Sequence, residues 1–209
     1  MKKLLASLVL AGVMVGGACA DDTWPVDLSF LDSIAAPANV AGLRVAIPYG
    51  ANKSVTGIDI GFWGNADRAW AFQIDVVGNV VRDEMGGAQV GVYNVANHLT
   101  GLQIGVYNAA PTFEGAQIGI WNRAERATGL QIGVVNNADQ MAGVQIGIFN
   151  YVPTFSGFQL GLINFSYKVE SAQIGLINST EQMHGFQIGL VNVIHDSPVP
   201  FCVLANCRF

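Results

Sequence analysis

The sequence predicts an all-β, repeat-built protein. Three observations carry that: a strict fourteen-residue beat, a two-residue alternation inside each unit, and little charge for so apolar a chain. The beat is set by Asn94, Asn108, Asn122, Asn136, Asn150, Asn164, Asn178, Asn192 and Asn206, each fourteen residues after the last. Gln89, Gln103, Gln117, Gln131, Gln145, Gln159, Gln173 and Gln187 keep the same interval five residues ahead of an asparagine. The unit reads G-x-Q-[I/V/L]-G-[I/V/L]-x-N plus six more residues. A unit this short cannot bury a face alone, so the copies must stack on one another.

Within a unit the period is two. In Gly115–Asn122, Ala116, Ile118 and Ile120 share one side, and Gly115, Gln117, Gly119 and Trp121 the other. The apolar positions are mostly β-branched or Leu, as suits a pleated surface. A helix is excluded, since two glycines in five residues would cost it about 2 kcal/mol relative to alanine. Five residues after each asparagine comes another apolar residue, from Leu99 and Phe113 to Met183, and a strand is expected to begin there. That leaves about ten residues of strand and about four of turn in each unit. The turns hold Asn97, Pro111, Glu125, Asp139, Pro153, Lys168 and Glu181.

Only 12% of residues are charged and 51% are hydrophobic. A soluble chain of this size ordinarily carries about 25% charged residues, so most of both strand faces must be hidden in protein or in lipid. Residues 1–20 read as a signal peptide: Lys2 and Lys3, an apolar Leu4–Val15, and an Ala18-Cys19-Ala20 cleavage site. Lipidation through Cys19 is the lesser alternative there. Setting aside Lys2 and Lys3 leaves 8 basic against 15 acidic side chains, a net charge of −7, which argues against nucleic acid. Residues 21–41 carry no repeat and read as a leader with Trp24-Pro25 and Leu28–Leu31. Residues 42–209 read as a single β-repeat domain. Its opening copies are degenerate, with Asp59 where Gln is expected and the pairs Gly64-Asn65 and Gly78-Asn79 one position late. Terminal repeats are often atypical because they cap the array.

Two architectures fit the beat. The preferred one is an antiparallel meander closed into a barrel of about 12 strands, with an even count and strands of about ten residues as in outer-membrane barrels. The Ile/Val face would meet lipid and the Gln/Gly face would line a lumen. The alternative is a parallel β-solenoid with 14-residue coils, with Ile, Val and Leu stacked inside, Asn in an internal ladder and Gln outside. Equal connection lengths favour the solenoid. So does an echo at 42 residues, where Pro111-Thr112-Phe113 returns as Pro153-Thr154-Phe155. An up-and-down barrel would echo at 28.

With these units in view, the array resembles bacterial surface-repeat proteins of the spirochaete type, built on G-x-Q-x-G-x-x-N. The resemblance rests on Gly101-Leu102-Gln103-Ile104-Gly105-Val106-Tyr107-Asn108 and its copies, roughly Gly57 to Asn206. It implies an exported, surface or outer-membrane protein without a defined activity, and it supplies no catalytic residues.

The candidates for chemistry are few. The glutamine row reads as a buried hydrogen-bond ladder before a binding face, and the asparagine row as structural strand ends. Tyr93, Tyr107, Trp121 and Phe149 recur at one position with the parity of the glutamines, so a regular strand would turn them inward. His98, His184 and His195 lack any second ligand at metal spacing. Asp59 and Asp75 are read as facing opposite sides, which leaves no acid–base pair. Cys202 and Cys207 would lie about 17 Å apart on an extended strand, too far for a disulfide. The expected function is therefore non-enzymatic, without cofactor or metal: a structural, adhesive or passive-pore role with outer-membrane lipid as partner. The alternative is an exported solenoid binding a repetitive polymer such as polysaccharide.

Overall fold

The computed structural model describes residues 23–30 and 39–209. The segment 1–20 expected to be a signal peptide, with Cys19, lies outside them. The described chain is all β, as the alternation requires, but it winds as a parallel solenoid of about 11 turns and not as a barrel. Strands β1 (Thr23–Phe30), β2 (Asn39–Ile47), β3 (Gly50–Val90), β4 (Tyr93–Ile174), β5 (Ile177–Ile194) and β6 (Phe201–Arg208) follow one another in one sheet. β3 and β4 are long because each runs through several coils. Every pairing from β1 to β5 is parallel, and one coil lies directly on the next: Asn164 on Asn178, Gln173 on Gln187. β6 turns back antiparallel to β5 and covers the last coil.

The preferred barrel is thus overturned, and the reason lies in the corners. Strict alternation would send Val106 outward and Tyr107 inward. Instead neither is buried, and Asn108 behind them is fully buried. A second bend falls at the Gly115 column, where φ is +137° and a Cβ would strike the Gly101 carbonyl. The chain therefore rounds corners in place of reversing, and it returns to its starting side after fourteen residues.

Parallel stacking in register puts identical residues on one another at the roughly 4.8 Å strand spacing. Each regular coil sends four side chains inward: the glutamine, the asparagine, a small residue such as Ala96, Ala110 or Ala138, and an apolar one such as Leu99, Phe113 or Phe155. The residues expected to begin strands are this last core column. The solenoid alternative is corrected in turn, since the glutamines are inside and the Ile/Val/Leu row is outside. A coil of fourteen residues encloses room for little more than these four side chains.

The described part of the expected leader, Thr23–Phe30, is part of the winding. Asp27 of β1 pairs with Arg44 of β2, and Arg44 with Asp59 of β3. The glutamine column therefore extends back as Asp27, Arg44, Asp59 and Gln73. The coil between Gln73 and Gln89 is sixteen residues long.

Candidate functional site

Inside the coils two amide ladders run the length of the array. Each glutamine donates from Nε2 to Oε1 of the glutamine one coil earlier, at 2.7–3.0 Å from Gln89 to Gln187. Each asparagine donates the opposite way, from Nδ2 to Oδ1 of the asparagine one coil later, at 2.8–2.9 Å from Asn79 to Asn192. The second asparagine proton meets a backbone carbonyl, as from Asn108 to Ile118 O at 3.0 Å. The glycine two residues after each glutamine leaves room for this. A Cβ on Gly119 would lie 2.6 Å from Asn108 Nδ2. Both rows are structural, and neither offers a polar surface to a ligand. Asn206 is the exception in the asparagine row. It lies on antiparallel β6 opposite Gln187 and donates to Val199 O at 3.3 Å.

At the amino-terminal end the ladder becomes charged. Gln73 Nε2 donates to Asp59 Oδ2 at 2.9 Å. Arg44 holds the same carboxylate through two nitrogens, Nε to Oδ1 at 2.7 Å and Nη2 to Oδ2, and Arg44 Nη1 donates to Asn52 Oδ1 at 2.8 Å. Asp75 stands at a position that holds glycine in nearly every other coil, and it points into this cluster. Asp75 Oδ2, Arg44 Nη2 and Asp59 Oδ2 all converge on Gly64, whose Cβ would meet each of them. Asp59 and Asp75 therefore do not face opposite sides. They lie sixteen residues apart, share parity and are both buried. Both Asp75 oxygens lack a hydrogen-bond partner. Burial pushes the Asp75 carboxyl up to about 7; the Asp59 carboxylate adds to the rise and the Arg44 guanidinium opposes it. The cluster is sealed from solvent, with Asp59 and Asp75 at 0% and 1% exposure, so it serves the fold and has no route to a substrate. Arg44 escaped the sequence reading because its coil is fifteen residues long, so a fourteen-residue step back from Asp59 lands on Val45.

The outside is where the array differs most from an ordinary surface. Four columns flank the glutamine at one residue before and at one, three and four after. From the Arg44 coil to the Gln187 coil they hold only Ala, Val, Leu, Ile, Phe, Pro, Tyr and Trp. Many of these side chains are open to solvent, with Val106 at 46%, Ile120 at 53% and Leu190 at 57% exposure. Ile132, Ile146 and Leu160 form one ridge and Val134, Ile148 and Leu162 another, with a trough between them floored by Gly133, Gly147 and Gly161. Over about 11 turns at roughly 4.8 Å by about five residues at roughly 3.3 Å, the face covers some 800 Å². A monomer's largest apolar patch is typically about 300–600 Å².

The recurring aromatics sit at the corner of this face and point outward, against the expectation from parity. Tyr93 and Tyr107 stack with centroids 5.1 Å apart and planes 8° apart, and Trp63 continues the stack to Tyr93 at 6.3 Å. Cys202 and Cys207 are both free. Among the described residues no group of three His, Cys, Asp or Glu side chains is placed to hold a metal ion. No helix among them is long and apolar enough to cross a membrane. No known family, curated protein or solved structure matches the chain.

Proposed function

We propose that the chain is an exported, non-enzymatic docking protein, a stiff rod that acts through its flat apolar face. The carrying observation is the four outward columns, which hold no charged or amide side chain from the Arg44 coil to the Gln187 coil. Exposed apolar surface of this extent marks an interaction site. Export is supported by the Lys2-Lys3, Leu4–Val15 and Ala18-Cys19-Ala20 pattern. The pore form of the reading loses its basis, because the inside of the coils is filled by side chains.

Fractionation of cells expressing the wild type and an Ile118→Lys/Ile146→Lys variant tests this. The wild type is expected outside the cytoplasm, in a particle larger than one chain or held to the envelope. The variant should be exported equally but recovered as a free single chain. A wild type recovered as an unattached single chain rejects the reading.

A second reading, a rod that binds a repetitive polysaccharide, is favoured by the Trp63–Tyr93–Tyr107 stack, since aromatic faces pack on apolar ring faces. Retardation of the wild type but not of a Tyr93→Ala/Tyr107→Ala variant in polysaccharide-loaded native gels would support it.

A further inference from the structure

We infer that the occupant of the flat face is a second copy of this chain, packed face to face along the solenoid axis. This rests on the reading of that face as the docking surface, and it names the partner. The first argument is size: roughly 800 Å² from each partner is what a stable protein–protein interface buries. The second is shape. The face is long and ridged, so a partner must be equally long and carry matching ridges. A second copy supplies both, and a twofold arrangement uses the same patch on each copy.

The third argument fixes the arrangement. A twofold axis parallel to the solenoid lays each coil on its own counterpart with the strand direction reversed. Centred midway between the first and second residues after the glutamine, it drops the Ile132–Ile146 ridge into the partner's glycine trough. It also sets the column before the glutamine against the partner's corner column. In several coils side-chain sizes in those two columns offset one another, Ala88 with Tyr93 and Ala116 with Trp121 but Phe72 with Val77 and Phe186 with Val191, while Ile58 with Trp63 and Leu102 with Tyr107 are both large. The members of each pair stand five residues apart on opposite margins of the face, so they are not direct neighbours within one coil. Identical ladders interdigitating across a dry interface are a known way to join two sheets.

The fourth argument is charge. The column bordering the face three residues before each glutamine, from Gly86 to His184, holds Gly, Thr, Ala, Ser, Glu and one His and no Lys or Arg, and across the face Arg123 alone is Lys or Arg among the residues that follow Asn94 to Asn192. Such an edge suits the polar rim of a protein interface, whereas lipid-seeking faces are edged with cations.

Sedimentation equilibrium of the purified chain provides the test, beside Ile132→Lys and the milder Ile132→Thr/Ile146→Thr, which keeps β-branching should the lysine variant fail to fold. The wild type is expected as a dimer. The variants should dissociate at least about 30-fold more readily with an unchanged far-ultraviolet spectrum, as for a residue at the centre of an interface. A monomeric wild type, or a variant dimer as tight as the wild type, overturns the inference. Flotation with phosphatidylcholine vesicles and sedimentation with insoluble glucan separate the two levels. A monomer that binds either one leaves a docking face with a different occupant. A monomer that binds neither ends both readings.

Discussion

Replacing Asp75 with asparagine should flatten the dependence of stability on pH between 5 and 8. Asp75 is buried, neither oxygen has a hydrogen-bond partner, and its carboxyl is raised from 3.8 to about 7. The folded chain therefore holds this proton more tightly than the unfolded chain does. The sign follows: the contribution is fully present below the unfolded value and is lost as pH rises through about 7. At about 1.4 kcal/mol per unit, the whole shift amounts to at most about 4 kcal/mol, of which about 3 kcal/mol falls between pH 5 and 8. Asparagine keeps the shape, carries no charge and can donate towards Asp59. Urea midpoints at pH 5, 6, 7 and 8 should fall for the wild type and stay nearly level for Asp75→Asn, with the variant the more stable at pH 8. Subtracting the two curves removes whatever other groups contribute. Parallel curves, or a wild type that gains stability over this range, would refute the account of Asp75 as a buried acid without a partner.

Two further substitutions probe the ladder and the bends. Gln131→Ala strands both Gln117 Oε1 and Gln145 Nε2, so a loss of about 2–5 kcal/mol is expected in denaturant unfolding. Gln187→Ala, at the end where Oε1 already has no partner, should cost clearly less. Ser171 occupies the bend column that glycine fills in the other regular coils, at φ +129°, so Ser171→Gly should stabilise by about 1 kcal/mol, read as a shifted unfolding midpoint.

The period and the strand character were legible because they depend only on spacing. The Gln side and the Ile side were also correctly set opposite each other. Handedness of pairing was not legible, since two-residue alternation looks the same whether the next strand runs parallel or antiparallel. The equal connections and the return of Pro-Thr-Phe at Pro111 and Pro153 pointed to the solenoid, but they bear on the corners and not on the strands. The apolar residues were assigned to the solenoid interior on the rule that large hydrophobes go inside. That rule fails when the coil is too thin for them and when stacking satisfies every amide it encloses. Tyr93 and its copies were misdirected because parity breaks at a bend that no residue type announces. Asp75 was misplaced by a miscount of faces: sixteen residues from Asp59 keeps the parity.

The two amide ladders explain why the charges sit at one end. Every glutamine points its Nε2 towards the amino-terminal coils, and every laddered asparagine points its Nδ2 the other way, so the two rows of aligned dipoles oppose each other and largely cancel along the rod. Each row still has a bare end. The glutamine row ends in a donor at Gln73, and a further glutamine there would only move the problem one coil back. A carboxylate resolves it, because it accepts without needing to donate, and Asp59 Oδ2 accepts the hydrogen bond from Gln73 Nε2 at 2.9 Å. The charge this buries requires a partner in turn, which places Arg44 one coil earlier, where its fork reaches both Asp59 oxygens and Asn52 together. The change from Gln to Asp to Arg in one column is thus what a directional hydrogen-bond chain demands where it stops. It marks the amino-terminal coils as a cap, and leaves the outward apolar columns as the part of the rod whose composition the fold does not explain.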